Sequence, residues 1–116
     1  MKIRIKGNSL RYRLTKTDIA KFSADRYLEE TIDFGTQVLT YALQQNRLNN
    51  LSALFENNKI TVFMPEMMAR EWQESNRVGF DYSENGLHLL IEKDFKCLDN
   101  VAEDQSDNYP NPLVKV

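Results

Sequence analysis

The feature that most constrains this chain is an apolar pattern that occurs twice, about fifty residues apart. Apolar positions coincide when residues 53–72 are aligned with residues 3–22. The matching pairs are Ile5 with Phe55, Leu10 with Ile60, Tyr12 with Val62, Leu14 with Met64, Ile19 with Ala69, and Phe22 with Trp72. A period of this length indicates a repeated supersecondary unit whose copies share one core. We therefore expect Phe22 and Trp72 to occupy equivalent places.

Each copy predicts a hairpin, a short helix and a second hairpin. Residues 2–6 alternate charged side chains with isoleucine, which is typical of a half-buried strand. Gly7-Asn8 then favours a tight turn into the next strand. A helix is predicted after Thr15 in the first copy, where the hydroxyl can cap it, and at Pro65 in the second.

These elements predict an α+β fold of duplicated ββαββ units with two short helices. The eight strands are expected to be mostly antiparallel and to form either a barrel or paired sheets. The predicted domain covers residues 1–97 and contains two repeats, at 2–45 and 52–94. Residues 98–116 are predicted to be an acidic, proline-containing C-terminal tail docked on that domain.

Composition narrows the class of protein. The chain has 116 residues, 41% hydrophobic and 28% charged, which suits one soluble globular domain. Its net charge of −2 disfavours non-specific binding to nucleic acid or anionic membranes. No apolar run approaches the roughly 18 residues of a membrane helix, and the N-terminus lacks the apolar block of a signal peptide. Because Cys97 is the one cysteine and cannot form an intramolecular disulfide, we expect a cytoplasmic protein. We expect it to be a monomer or a homodimer.

A cation cluster on the first hairpin is the candidate ligand site. Alternation places Lys2, Arg4, Arg11 and Arg13 on the face opposite the isoleucines. With a two-residue turn, Arg4 lies opposite Arg11 and Lys2 lies opposite Arg13. Such a face can bind an anion such as phosphate, because arginine presents a planar fork of donors. These four residues are the predicted anion-binding residues.

The same cluster has a purely structural explanation. Facing cations repel one another across a strand pair, so an acidic group is expected beside them. Glu29, Asp33 and the acidic tail are the expected partners. Glu30 has the parity of the apolar residues, so it is either a buried carboxylate with a raised pKa or a residue of a β-bulge or of the sheet rim.

No pattern in the chain identifies a catalytic or metal centre. The acidic residues near the C-terminus do not have the spacing of an EF-hand loop. These residues are Asp94, Asp99, Glu103, Asp104 and Asp107. His88 and Cys97 are each the one residue of their type, so a His/Cys metal site is not formed. We expect no metal and no cofactor, and the catalytic residues, if any, are unknown.

The chain also resembles a small bacterial family that is defined as a domain of unknown function. The matching stretches lie at residues 1–9 (MKIRIKGNS), 55–61 (FENNKIT), 91–99 (IEKDFKCLD) and 103–112 (EDQSDNYPNP). The resemblance covers nearly the whole length of the chain. It implies membership of the family and no particular activity.

We therefore interpret the chain as a non-enzymatic binding or interaction module whose partner is a protein or a small anionic ligand. The alternative is a small phosphate- or nucleotide-binding hydrolase. It would use the basic hairpin face together with a metal held by carboxylates, either Glu30 or the acids of the tail. Convergence of these residues in one pocket would favour the hydrolase.

Overall fold

A computed structural model describes residues 1–95 and 105–110 of the chain. It contains two helices and eight strands in those residues. In chain order these are β1 (Lys2–Lys6), β2 (Ser9–Leu14), α1 (Lys16–Asp25), β3 (Tyr27–Asp33), β4 (Val38–Asn46), β5 (Ser52–Glu56), β6 (Lys59–Pro65), α2 (Glu66–Glu74), β7 (Gly79–Glu84) and β8 (Leu87–Lys93).

The strands form two four-stranded sheets. Sheet A has the order β1-β2-β8-β7 and sheet B has the order β3-β4-β6-β5. Each hairpin is antiparallel, whereas the inner pairs, β2 with β8 and β4 with β6, are parallel. The predicted α+β class and mostly antiparallel sheets are confirmed.

The barrel alternative is wrong for the described part of the chain, where the sheets stay separate. The reason lies in the connections, because each helix carries the chain from one sheet to the other instead of extending a single sheet. Each sheet therefore keeps two edge strands.

The two halves of the chain share one order of elements. Residues 2–46 and 52–93 both run ββαββ. Exchanging the corresponding elements of the two halves turns the strand order of sheet A, β1-β2-β8-β7, into β5-β6-β4-β3, which is the order of sheet B read from its other edge. A superposition of the halves, and hence the duplication itself, remains a prediction.

The four hairpin turns lie at one end of the molecule, which we call the turn end. Parallel pairing of β2 with β8 puts both turns of sheet A at the same end of that sheet, and the β4–β6 pair does the same for sheet B. Both central residues have positive φ in two of the turns, Asn57-Asn58 and Asn85-Gly86. That conformation matches the type I′ turns that suit hairpin twist.

The helices occupy the opposite end, where they complete the core. α1 begins at a capping box, in which the Thr15 hydroxyl accepts from the Asp18 N–H and the Asp18 carboxylate accepts from the Thr15 N–H. Phe22 and Trp72, one from each helix, are both fully buried. The Trp72 indole N–H also donates to the Val78 carbonyl at 2.9 Å, which satisfies its polar group.

Residues 105–110 contact the domain beside α1. The Tyr109 N–H donates to the Asp94 carbonyl at 2.8 Å, and the Lys16 N–H donates to the Asp107 carbonyl at 3.1 Å. These bonds tie the segment both to the end of β8 and to the first turn of α1. The segment therefore covers the helix end of the sandwich.

Most of the predicted tail, 98–104 and 111–116, lies outside the described residues. So do Cys97 and three of the acids considered for metal binding, Asp99, Glu103 and Asp104. The docking of the tail as a whole remains a prediction.

We expect Trp72→Ala to lower the free energy of unfolding by roughly 3–5 kcal/mol, the range for truncating a buried large aromatic residue. Urea denaturation followed by circular dichroism measures the loss. Trp72→Phe keeps most of the ring volume and should cost less. A loss below about 1 kcal/mol for the alanine variant would contradict the central position of Trp72.

Asp107 generates a prediction on pH. Hydrogen bonds from the Thr15 and Thr17 hydroxyls lower the pKa of its carboxyl below 3.8. A carboxyl with a lowered folded-state pKa stabilises the fold above its unfolded pKa, and the contribution disappears as the pH falls through the folded value. Asp107→Asn should therefore lower the melting temperature at pH 7, with a difference from wild type that shrinks below about pH 4. Asp81→Asn, at an exposed site on β7, is the control, and a constant difference at all pH values would contradict the mechanism.

Candidate functional site

The outer face of sheet A carries the predicted cations. Strand register arranges this face in three rows across β1, β2, β8 and β7. From the turn end the rows are Lys6, Ser9, His88 and Ser83; then Arg4, Arg11, Leu90 and Asp81; then Lys2, Arg13, Glu92 and Gly79. The predicted facing pairs, Arg4 with Arg11 and Lys2 with Arg13, are confirmed by this register.

One carboxylate serves the two arginines of β2. The Arg13 Nε atom lies 2.9 Å from Glu92 Oε1, and the Arg11 Nε atom lies 3.6 Å from the same oxygen. The shorter contact is a charge-assisted hydrogen bond, whereas the longer one is a weaker electrostatic contact. Glu92 therefore neutralises Arg13 more effectively than Arg11.

The partner of these arginines differs from the one expected. Glu29 and Asp33 lie on β3, in the other sheet, whereas Glu92 lies on β8, directly beside β2. The parallel pairing of β2 with β8 joins residues about eighty positions apart. Alternation within the first hairpin contains no information on that pairing, which is why Glu92 was not among the expected partners. Contacts of these cations with the tail acids Asp99, Glu103 and Asp104, which lie outside the described residues, remain a prediction.

The four predicted residues divide into two groups along the strands. At the helix end, Lys2 Nζ lies 3.1 Å from Asp94 Oδ2 and Arg13 is held by Glu92. Nearer the turn end, Arg4 and Arg11 border a hollow of about 120 Å³ together with Lys6 and Ser9. We call these four residues the basic hollow. In the described part of the chain, no carboxylate lies within 4 Å of Arg4 or Lys6.

A larger concavity lies between the sheets at the turn end. This turn-end cleft has a volume of about 460 Å³ and is lined by both sheets. Its lining residues are Ile5, Gly7, Asn8, Ser9, Leu10, Leu39, Ala53, Leu54, Phe55, Ile60 and Leu87. Most of these side chains are apolar, so the cleft offers an apolar surface that an apolar ligand would cover.

The cleft exists because the two ends of the sandwich are filled differently. At the helix end, Phe22 and Trp72 enter the space between the sheets. At the turn end no helix residue lines the gap. Of the β5 residues that line it, Ala53 is small, and Leu54 and Phe55 remain exposed. Closing this gap would require larger inward residues, as close packing of a core demands.

Several large apolar side chains at the turn end are exposed to solvent. Ile5 is 59% exposed and Phe55 is 67% exposed, although both line the cleft. Ile32, Phe34 and Val38, in or beside the turn that joins β3 to β4, are exposed as well, although they do not line the cleft. Single exposed apolar residues need no explanation, but a concentration of them marks an interaction surface.

The remaining sequence candidates do not assemble into a catalytic centre. The Glu30 side chain is exposed, so the buried-carboxylate hypothesis is wrong. Ser83 Oγ lies 2.6 Å from His88 Nδ1 on the outer face. Within residues 1–95 and 105–110, no carboxylate bonds to the other imidazole nitrogen, so the pair does not extend to a triad.

Two absences concern residues 1–95 and 105–110. These residues contain no group of three His, Cys, Asp or Glu side chains arranged to hold a metal ion. Among the helices so described, none combines the length and apolar character needed to cross a membrane.

Sequence reasoning missed the apolar half of this region. Alternation places four residues of the cleft in the core: Ile5, Leu10, Phe55 and Ile60. It distinguishes the two faces of a strand, but it does not distinguish the filled end of a sandwich from the open end. One feature of the sequence indicates that these residues differ from the rest of the core. These residues lie within three positions of a hairpin turn, where an inward side chain is covered least.

Comparison with known proteins identifies the family. The model of DUF7009, a family of unknown function, matches residues 1–113. The chain belongs to this family. No curated protein and no solved structure matches it. Membership of a family of unknown function is thus confirmed, whereas a bacterial origin remains a prediction.

We expect Glu92→Gln to destabilise the fold by about 1 kcal/mol in low salt, because it leaves Arg11 and Arg13 facing Lys2 and Arg4 without a counter-charge. The partial exposure of all these side chains keeps the loss small. Thermal unfolding in 20 mM and 500 mM NaCl measures the effect, which salt should reduce. Glu84→Gln, at an exposed site on β7, is the control, and equal melting temperatures for the two variants would contradict the role of Glu92.

Proposed function

We propose that this chain is a non-enzymatic, cytoplasmic binding module that holds the apolar part of a small ligand in the turn-end cleft. The observation that supports it is the cleft itself, about 460 Å³ of apolar space that opens to solvent. Small-molecule sites typically occupy about 300–1,000 Å³ and have mostly apolar walls. The cleft therefore has the size and the chemistry of a ligand site.

The exposed rim gives binding a driving force. Ile5 and Phe55 remain largely in water while the cleft is empty, and an apolar ligand would remove part of their surface from solvent. Each buried methylene group of such a ligand contributes about 0.8 kcal/mol. Backbone pairing in the flanking strands holds the walls in place, so little ordering entropy opposes binding.

The geometry supports the hydrolase alternative less well. That activity would need the basic face to converge with carboxylates that hold a metal. Lys2 and Arg13 are engaged by Asp94 and Glu92 instead. The described residues also contain no three-ligand cluster of acids, histidine or cysteine.

We also infer that duplicated units built the cleft. Two pairs of its residues are equivalent in the sequence alignment of the halves, Ile5 with Phe55 and Leu10 with Ile60. Leu39 and Leu87 lie near the start of the counterpart strands β4 and β8. The related strand orders of the two sheets support this inference. A pocket formed where two equivalent units meet would have equivalent walls.

Aliphatic alcohols test the proposed function. We expect octanol to bind and to raise the melting temperature, with an affinity roughly tenfold higher than that of hexanol, because two more methylene groups are buried. Calorimetry gives the affinities. Amide chemical shifts should change at Gly7, Leu10, Leu39 and Ile60.

Matched variants at exposed sites test the location. Phe55→Ser shortens the cleft wall and should weaken octanol binding several-fold with little loss of stability. Met67→Ser, at an exposed apolar residue of α2, should leave the affinity unchanged. Failure of octanol to bind, or equal affinities for both variants and wild type, would overturn the proposed function.

A further inference from the structure

We propose that the ligand of the turn-end cleft is a small anionic amphiphile, whose aliphatic or aromatic part occupies the cleft and whose acidic group binds in the basic hollow. This inference rests on the proposed function and adds to it the chemical class of the ligand. The acidic group is a carboxylate, sulfate or phosphate ester, since all three accept hydrogen bonds from guanidinium and ammonium groups.

The two concavities adjoin at Ser9. This residue borders the cleft and the hollow at once, and the neighbouring residues alternate between them. Along β1, Ile5 faces the cleft while Lys6 lines the hollow; along β2, Leu10 faces the cleft while Arg11 lines the hollow. A molecule seated in the cleft therefore meets cations where it emerges around the Gly7-Asn8 turn.

The hollow has an excess of positive charge. Arg4, Lys6 and Arg11 border it, and among the described residues the nearest acidic partner is Glu92, 3.6 Å from Arg11. Glu92 is bound more closely by Arg13, at 2.9 Å. An anion placed among the three cations would relieve the repulsion between Arg4 and Arg11, which face each other across the strand pair.

Charge elsewhere at the turn end directs the acidic group to this side. Glu56 and Glu84 lie at the ends of β5 and β7, on other sides of the cleft. Glu84 would repel an anionic group, and Glu56 is matched by Lys59 across the β5–β6 pair, whereas positive charge is concentrated at Arg4, Lys6 and Arg11. The ligand would therefore lie in one orientation, with its acidic group toward β1.

The dimensions favour a small molecule. A hollow of about 120 Å³ accommodates one acidic group, whereas a nucleic acid strand requires a groove that follows many phosphates. Lys6, at the end of β1, has a long flexible side chain that can follow such a group to the mouth of the cleft. The link between the apolar and acidic parts of the ligand would pass around the Gly7-Asn8 turn, beside Ser9.

Three probes with one aliphatic chain test the proposal by calorimetry: octanoate, octanol and octylammonium, each below its micelle concentration. Octanoate should bind at least tenfold more tightly than octanol, and octylammonium more weakly than octanol. The advantage of octanoate should decline in 500 mM NaCl, because screening weakens exposed charge contacts. Acetate alone should bind at least tenfold more weakly than octanoate, since it lacks the apolar part.

Variants locate the acidic group. The double variant Arg4→Gln/Lys6→Gln should reduce octanoate affinity to the level of octanol and leave octanol affinity unchanged. Lys21→Gln, which removes an exposed cation of α1 away from the hollow, is the control and should retain the octanoate advantage. Equal binding of octanoate and octanol to wild type would overturn this proposal while leaving the apolar cleft intact, whereas loss of all octyl binding would overturn the proposed function.

A membrane lipid also combines an acidic group with an apolar part, so the last experiment tests binding to vesicles. Phosphatidylglycerol vesicles should compete poorly with octanoate, because the cleft takes a separate molecule. Tight vesicle binding without binding of monomeric octanoate would assign the surface to a lipid membrane and overturn the proposal.

Discussion

The parallel pairing of one hairpin with another, β2 with β8 and β4 with β6, is the constraint on which the rest of this structure depends. It joins the first strands of the chain to the last and sets both turns of each sheet at one end. The helices, which follow β2 and β6, must then lie at the other end. A sandwich filled at one end and open at the other follows directly from this arrangement.

Patterns within short stretches of the sequence predicted the helices and strands well, but they predicted the pairing of the hairpins into sheets poorly. Charge alternation in β1 and the Gly7-Asn8 turn predicted the first hairpin and its register, because both depend on neighbouring residues. The partner of Arg13 could not be predicted, since Glu92 reaches it through a parallel pair that no local signal specifies. The cleft was missed for the same reason, as Leu10 and Ile60 have the parity of core residues.

The open end has a cost that the filled end offsets. Ile5 and Phe55 remain largely in water, so burial of these two side chains contributes little to folding. Phe22 and Trp72 are fully buried at the helix end and supply the close packing that a chain of this size requires. Stability and ligand access can therefore reside in different ends of one sandwich.

Edge protection explains some of the cations but not all of them. β1 is an edge strand, and charged residues such as Lys2 and Arg4 discourage the addition of another strand to it. Arg11 lies on β2, an inner strand, where no edge needs protection, and it faces Arg4 directly. A cation at that position increases repulsion within the fold, which Glu92 offsets only in part because it lies closer to Arg13, and the proposed anion in the hollow would reduce that repulsion further.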